Sequence, residues 1–169
     1  MTAESDSTPA ATGAPPPRWI LKAMTRLHVF LHRLSGGRRF NSIGGDDVCF
    51  VTMKRAKSGR TMTIPLMYVP FRAGVLLVAS QGGAPRNPGW YFNLVKYPDI
   101  EVSHRGRRMT LRARVATADE KPGLWPICDQ YYAPYADYRT RTNRDIPIFV
   151  CEPESGNLRV RINRGSTRD

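Results

Sequence analysis

The chain has 169 residues, 41% of them hydrophobic and 24% charged, which suits one globular domain and excludes collagen-like, coiled-coil and polytopic membrane proteins. Twenty-six lysine and arginine residues against 14 acidic residues give a net charge of +12, so the chain should seek anionic partners. Cys49, Cys128 and Cys151 lie far apart in sequence and away from the histidines. This pattern argues against a metal site or a disulfide framework and favours the cytoplasm.

Two segments precede the predicted domain. Residues 1–17 are rich in Ala, Pro, Ser and Thr, so we expect them to be disordered, and they carry no secretory signal. Residues 18–34 place apolar side chains on one face of a helix and basic side chains on the other, within a segment bounded at 18–40. This basic amphipathic helix is too short and too charged to span a bilayer. It either packs on the domain or lies on an anionic membrane surface, at the inner face of the plasma membrane.

A period-two pattern then predicts a domain rich in β-strands over residues 41–153. A hairpin is expected to turn at Arg105-Gly106. The predicted strands cover residues 48–53, 61–69, 75–80, 99–104, 107–116 and 146–151, with an edge strand at 158–162 in the polar tail 154–169.

Three short helices complete the predicted domain. One begins at Asn87-Pro88, where Asn87 would cap the helix and Pro88 would occupy its first position, and it ends near residue 97. The others cover 118–131 and 134–143. Many strands with few short helices predict a mainly β, α+β fold built as a small barrel.

Three groups of residues could carry chemistry. Ser80-Gln81-Gly82-Gly83 joins a strand end to a helix start and would expose backbone N–H groups to an anion, or form a plain turn. The stretch 54–60, Lys-Arg-Ala-Lys-Ser-Gly-Arg, could cradle a phosphate or carboxylate, or form a solvated hairpin tip. Helical spacing puts Tyr131, Tyr135 and Tyr138 on one face with Tyr132 beside them, either as core or as walls for a flat ligand. The sequence contains no triad context, P-loop or G-x-G-x-x-G motif.

Taken in order, six stretches resemble one family: KSGR, PLMYV, VASQGG, NPGWYFNL, PDIEV and LW…YYAPYADY…TNRDIPIFVCEP. They are similar to the deazaflavin-dependent nitroreductase family of actinobacteria, which is built on a flavin-reductase-like split β-barrel. The resemblance covers roughly residues 46–153, and the basic helix at 18–45 resembles a segment that associates with the membrane in some members. It implies that the cofactor is coenzyme F420, whose tail carries a phosphate and several glutamates. That polyanion suits the cations of this sequence independently of the resemblance.

The resemblance also implies roles for individual residues. The cofactor-binding set is Lys57, Ser58 and Arg60 for the acidic tail, Pro65, Leu66, Ala79, Ser80, Gln81 and Gly82 for the groove, Trp90, Tyr91 and Asn93 to close it, and Tyr135 near the ring. The catalytic set, which would hold the substrate oxygen over the hydride-donating carbon, is Ser80, Tyr132, Tyr135 and Tyr138. Three positions depart from the family pattern, because Ala56 and Met62 stand where arginines are usual and Gln81 where lysine is frequent.

We therefore predict an F420-dependent oxidoreductase that transfers a hydride to a small-molecule acceptor: a quinone, an enone or a nitro compound. The alternative is a split-barrel protein that binds a lipid or fatty acid and has a weakened or lost F420 site. Nucleic acid is not an expected partner, because the sequence has no recognition helix and no RNA-binding aromatic motif. A homodimer is expected only by analogy with other split barrels.

Overall fold

Strands dominate the part of the chain that is described. A computed structural model describes residues 42–43, 45–154 and 161–162. The strands are β1 (Ser42–Ile43), β2 (Asp46–Lys54), β3 (Thr61–Met67), β4 (Val69–Phe71), β5 (Gly74–Val78), β6 (Asp99–His104), β7 (Arg107–Val115), β8 (Ile148–Glu152) and β9 (Arg161–Ile162). The helices are α1 (Gly89–Lys96), α2 (Lys121–Tyr131) and α3 (Pro134–Thr140), with a single 3₁₀ turn at Gln81–Gly83.

The strands form an antiparallel sheet that rolls up without closing. Its order is β3-β2-β6-β7-β8-β5-β4, with β1 paired to the start of β2 and β9 to the start of β7. Strand β3 lies against β5 near the other end of the sheet, but the described residues form no ladder between these two strands. The fold is therefore a split β-barrel with helices, which confirms the predicted α+β class.

Apolar side chains cover both faces of this sheet at its centre, and successive residues of each strand point to opposite faces. Leu77 and Phe149 point into the barrel, where they pack with Leu94 of α1. Their neighbours Leu76 and Val150 point to the outer face, which α2 and α3 cover. The sheet is thus buried on both sides at β5 and β8, and the helices fix the walls of any groove between them.

Most predicted strands are confirmed, with shifted ends. The hairpin turns at Arg105-Gly106, where both residues have positive φ. The strand predicted over 61–69 is wrong as one unit, because the chain changes partner after Met67: β3 pairs with β2, whereas β4 pairs with β5. The strand predicted over 75–80 ends at Val78, since Ala79 donates its N–H to the carbonyl of Pro147 and the 3₁₀ turn follows.

The helix starts correct the prediction. Pro88 has extended backbone and precedes α1, so it is not the first helical residue, and Asn87 does not cap the helix. The side-chain oxygen of Asn87 instead accepts a hydrogen bond from Arg144. Before α2, Thr117 and Glu120 form a reciprocal capping box through their side chains and backbone N–H groups.

Several predictions fall on residues that lie outside the described part of the chain. These are the disordered segment 1–17, the basic helix at 18–34 and most of the tail 154–169. Of the predicted edge strand at 158–162, only Arg161–Ile162 is described, and it pairs with Arg107–Arg108. Within the described residues, no helix has the length and apolar content needed to cross a membrane.

Candidate active site

A cavity of about 580 Å³ opens between the 55–58 turn, β3 and α1. We call it the basic cavity. It is lined by Arg55, Ala56, Lys57, Ser58, Met62, Ile64, Gly89, Trp90, Phe92 and Asn93. Its volume lies within the range of small-molecule and cofactor sites.

The turn beside the basic cavity is fixed to helix α1. The buried Asn93 accepts a hydrogen bond from the N–H of Ala56 at 2.8 Å, and the ammonium of Lys96 donates to the carbonyl of Ala56 at 2.9 Å. Gly59 completes the turn with φ +67° and donates its N–H to the carbonyl of Arg55. The turn therefore has a defined position even though its side chains are exposed.

Two cations at this turn have no neutralising neighbour. Arg55 and Lys57 are exposed, and neither contacts a carboxylate within the described residues. Ser58 directly follows Lys57 in sequence, and its hydroxyl accepts a long hydrogen bond, 3.4 Å, from the N–H of Arg60. An anion entering the cavity would meet two charges and a hydroxyl.

The unusual residues Ala56 and Met62 leave this cavity open. Met62 is part of the wall, and its sulfur accepts a contact from Nδ2 of Asn93 at 3.3 Å. Ala56 contributes its backbone to the contacts with α1. Ala56 and Met62 thus add no charge to this wall and do not fill the space.

A second cavity, of about 360 Å³, shares Trp90 with the first. We call it the tyrosine cavity. It is lined by Asp46, Val48, Pro65, Leu66, Met67, Val78, Ser80, Gln81, Pro88, Trp90, Tyr132, Tyr135 and Tyr138. Because β3 and Trp90 contribute to both cavities, the two form one groove with a basic end and an aromatic end.

Three tyrosines form a cluster at the aromatic end, but not through the helical spacing that the sequence predicted. Helix α2 ends at Tyr131 and α3 begins at Pro134, so Tyr132 lies in the connection and Tyr131 is 47% exposed, outside the cluster. The rings of Tyr132 and Tyr135 meet edge to face with centroids 4.9 Å apart, and the hydroxyls of Tyr132 and Tyr138 lie 3.1 Å apart.

The cluster favours protonated tyrosines. The hydrogen bond with Tyr138, followed by desolvation, raises the pKa of Tyr132 to about 12, and the nearby charge of Asp46 acts in the same direction. Burial raises the pKa of Tyr135 further above its ordinary range. Both side chains therefore keep their protons at neutral pH and can donate hydrogen bonds to a ligand oxygen.

Arg144 holds the loop that carries Ser80 and Gln81. Its guanidinium donates to the carbonyls of Ala79, Ser80 and Ala84 and to the side-chain oxygen of Asn87, all at 2.7–2.8 Å. Burial lowers the pKa of this arginine. The four acceptors lie 57–65 residues away in sequence, so this contact sets the shape of the tyrosine cavity from a distant part of the chain.

The same loop has a strained backbone. Gln81 has φ +47°, although it is not a glycine, and Gly82 and Gly83 follow with φ +65° and +79°. A Cβ at Gly83 would lie 2.7 Å from both Cβ of Arg141 and the carbonyl oxygen of Tyr138. Glycine at this position lets α3 approach the loop, which brings Tyr138 to the cavity.

The structure brings most of the predicted site residues to the groove. Residues of both predicted sets that line it are Lys57, Ser58, Pro65, Leu66, Ser80, Gln81, Trp90, Asn93, Tyr132, Tyr135 and Tyr138. Four others do not line either cavity. Arg60 is exposed beside the 55–58 turn, and Ala79 is buried directly after β5. Gly82 is exposed in the 3₁₀ turn, and Tyr91 packs against Phe149.

Sequence reasoning missed Asp46, Phe92 and Arg144 as contributors to the site. Asp46 and Phe92 line the two cavities, and Arg144 shapes one of them. Arg144 and Phe92 had a signal in the sequence, since they lie in the stretches Thr-Asn-Arg-Asp-Ile-Pro and NPGWYFNL that carry the family resemblance, whereas Asp46 had none. The positions of Asp46 and Phe92 depend on long-range packing that no local pattern encodes.

Metal or thiol chemistry has no evident place in the described residues. They contain no group of three or more His, Cys, Asp or Glu side chains that could hold a metal ion. All three cysteines are buried free thiols, and burial raises the pKa of Cys49 and of Cys128 to about 12. Such thiols are poor nucleophiles at neutral pH.

Several known proteins resemble this chain in sequence and in fold. Residues 24–153 match the model of the family described as F420H(2)-dependent quinone reductase. An F420H(2)-dependent quinone reductase of Mycobacterium tuberculosis is 33% identical over 141 residues, which cover 79% of this chain and 95% of that protein. A solved F420-H2 dependent reductase is 36% identical with a TM-score of 0.59, covering 62% of this chain and 93% of that chain. Another solved structure, described as a domain-swapped dimer, is 31% identical with a TM-score of 0.61, covering 79% and 97%.

The split barrel, its cationic groove and these likenesses define a deazaflavin-dependent oxidoreductase. The chain belongs to the F420H2-dependent quinone reductase family, whose model covers most of its length. This membership confirms the family and the cofactor, coenzyme F420, that the order of the motifs predicted. The alternative of a lipid-binding barrel without a coenzyme site finds no support in these relatives.

The groove fits that coenzyme. An acidic tail requires unpaired cations, and Arg55 and Lys57 provide them at the basic end. A flat conjugated ring requires an apolar wall, and Pro65, Leu66 and Trp90 provide one in the tyrosine cavity. Charge and shape therefore agree along the groove.

Proposed function

We propose that this protein uses reduced coenzyme F420 to reduce a quinone by hydride transfer. The single observation that carries the proposal is the polarity of the groove. Unpaired cations lie at one end and protonated tyrosines at the other, with Trp90 shared between the two cavities. A polyanionic cofactor and an uncharged oxygen-bearing acceptor would be held in that order.

Lys57, Ser58 and Arg55 would hold the acidic tail by charge and hydrogen bonding. The next part of the groove, between Pro65-Leu66 and Trp90, would take the ring. When bound, the coenzyme supplies the hydride. The protein's contribution is to bind, to orient and to exclude water from the reacting pair.

The tyrosine cavity would receive the acceptor. A quinone that accepts a hydride at one centre must also gain a proton on oxygen. The hydroxyl of Tyr132, whose pKa is raised to about 12, lies 3.1 Å from that of Tyr138, and the pair can present a hydroxyl donor to the acceptor oxygen. The hydroxyl of Ser80 lies in the same cavity and can donate a further hydrogen bond. Tyr135, buried at 3% exposure, serves as an aromatic wall that sets the position of Tyr132. Enones and nitro compounds present similar oxygens, so the same assay tests the range of acceptors.

Two measurements test the proposal on the purified full chain. Addition of coenzyme F420 should quench the fluorescence of Trp90, and the Trp125→Phe variant should retain the quench because Trp125 lies outside the groove. Reduced coenzyme should be oxidised when menadione is added, and more slowly with a nitro compound or an enone of similar size. Binding without turnover of any acceptor would contradict the reductase proposal, and absence of both responses would contradict the whole assignment.

We also propose that the chain forms a homodimer and that residues 18–34 attach it to anionic membrane. The dimer proposal is supported by the related structure that is described as a domain-swapped dimer. The membrane proposal rests on the amphipathic pattern of the sequence alone. Light scattering after gel filtration tests the first. Sedimentation with vesicles of anionic and of neutral lipid, using the full chain and a chain that lacks residues 1–40, tests the second.

A further inference from the structure

A third cavity lies away from the groove and shares no lining residue with it. It measures about 160 Å³ and is lined by Tyr68, Pro70, Arg72, Ala73, Gly74, His104, Arg107 and Met109. Water occupies roughly 30 Å³ per molecule in the liquid, so this volume corresponds to about five waters. It suits a small ligand or the head of a larger one, rather than a cofactor.

Within the described residues, one arginine that lines this cavity has no carboxylate partner, unlike its neighbours. Other arginines of β7 and its turn each contact a carboxylate: Arg105 with Asp47, Arg108 with Glu101, Arg112 with Asp99 and Arg114 with Glu120. Arg107 is different, because within the described residues it contacts no carboxylate, and it is the one of these five that lines the cavity. Arg72 also lines the cavity, and its guanidinium forms an ion pair with Glu152 at 3.2 Å.

The inner wall is rigid and polar. His104 is 8% exposed, its ring stacks on Tyr68 with centroids 3.5 Å apart, and its Nε2 lies 3.0 Å from a carboxylate oxygen of Asp47. Because a carboxylate only accepts, Nε2 carries the proton in this pair. The contact engages one nitrogen of His104 and fixes the ring beside the cavity.

Gly74 lets the turn that carries Arg72 pack closely on β8. A Cβ at this position would lie 1.9 Å from the carbonyl oxygen of Cys151, so only glycine allows the β4–β5 turn to approach β8 so closely. Arg72 and Arg107 line the same cavity. The two guanidinium groups belong to different hairpins that the barrel brings together.

We propose that this third cavity binds a small oxyanion, a phosphate or a compact carboxylate, held between Arg107 and Arg72 against the Tyr68–His104 stack. Guanidinium groups match the planar and tetrahedral oxygens of such anions. The volume admits a phosphate group and excludes an extended polyanion. The site is separate from the coenzyme groove, so the inference does not depend on the proposed reaction.

The test is a titration of the isotope-labelled full chain with inorganic phosphate, at constant ionic strength maintained with chloride. The NMR signals of the Arg107 Nε–Hε group and of the His104 ring should shift and saturate. Arg107→Gln should weaken the affinity by about tenfold or more, since it removes a charge-assisted contact. Arg108→Gln, the matched control on the same strand, should change it less than about twofold, because Arg108 does not line the cavity.

Further experiments distinguish the sources of the anion and control for misfolding of the variants. Glycerol 3-phosphate and vesicles containing phosphatidic acid are compared, and a free metabolite should reproduce the shifts that a vesicle surface does not. Arg72→Gln provides a second variant, with folding checked by thermal denaturation. Shifts that grow linearly without saturation, or that persist unchanged in Arg107→Gln, would overturn the proposal.

Discussion

The guanidinium of Arg144 and the backbone carbonyl of Ser80 lie 2.7 Å apart, although 64 residues separate them in sequence. The same group also donates to Ala79, Ala84 and Asn87. Arg144 therefore gives the Ser80–Gly83 loop a shape that the loop's own sequence does not determine. Since Ser80 and Gln81 line the tyrosine cavity, Arg144 shapes that cavity through the loop although its own side chain does not line it.

Replacing Arg144 with methionine should lower the free energy of unfolding by about 2–3 kcal/mol, because buried carbonyls lose charged donors. Turnover should fall more than coenzyme affinity, since the loop borders the tyrosine cavity and not the basic one. Urea denaturation and a comparison of kcat with the coenzyme Kd check both points. Arg112→Gln, at an exposed arginine on β7, is the control and should alter neither.

Gly83→Ala should destabilise the protein by about 2–4 kcal/mol. The new Cβ would lie 2.7 Å from atoms of α3 and would also occupy a backbone with φ +79°. Gly82→Ala is the matched control, because its φ is +65° but its Cβ would meet nothing within 4 Å, so about 1 kcal/mol of strain is expected. Equal losses from chemical denaturation of both variants would contradict the role given to α3.

Tyr132→Phe should reduce quinone turnover by about 10- to 100-fold while leaving coenzyme binding unchanged, because it removes a proton donor and keeps the ring. Tyr131→Phe is the matched control, since that side chain is 47% exposed and lies outside the cluster. Steady-state oxidation of reduced coenzyme by menadione measures the effect. A normal rate in Tyr132→Phe would remove this tyrosine from the proton transfer.

The pH dependence should follow the hydroxyl pair. A raised pKa of about 12 keeps Tyr132 protonated, so its contribution to turnover should be constant from neutral pH to about pH 10 and should be lost only as pH rises towards 12. The hydrogen bond with Tyr138 is the largest cause of the raised pKa. In Tyr138→Phe the alkaline loss should therefore move to lower pH. Profiles of kcat/KM recorded at constant ionic strength would reveal that shift, and an unchanged alkaline limb would contradict it.

Lys57→Gln and Arg55→Gln should each weaken coenzyme binding by about tenfold or more, and should make the affinity less sensitive to salt. Fluorescence titrations at low and high salt measure both effects. Arg60→Gln tests whether Arg60 holds the tail, as the sequence resemblance implies, because Arg60 lies beside the turn but does not line the cavity. A smaller loss is expected for it than for Arg55→Gln, and the reverse order would place the tail on the other side of the turn.

Local patterns were sufficient for elements whose contacts are local. The Arg105-Gly106 hairpin was predictable from its turn residues, and the buried strand around Leu76-Leu77 from a continuous apolar run bounded by turn residues. The strand at 61–69 was not, because Tyr68 marks a change of pairing partner that depends on the rolled sheet. Helix ends failed for a similar reason, since Asn87 bonds to Arg144 rather than to its own helix.

The site was predictable where short motifs contribute several adjacent residues, as at Lys57-Ser58 and Ser80-Gln81. It was less so for the tyrosines. Helical spacing grouped Tyr131 with Tyr135, whereas the break between α2 and α3 turns Tyr132 inward and leaves Tyr131 outside. A break of this kind depends on how α3 packs against Gly83, which is a contact across more than 50 residues.

Helix α1 carries Trp90 at one end of its first turn and Asn93 three residues later, and Asn93 is bonded to the 55–58 turn. An anion that displaces that turn should therefore also displace the indole of Trp90, because helix α1 joins the two. The length of the coenzyme's acidic tail should then affect the access of the hydride acceptor. Coenzymes with different numbers of glutamates should therefore differ in turnover as well as in affinity.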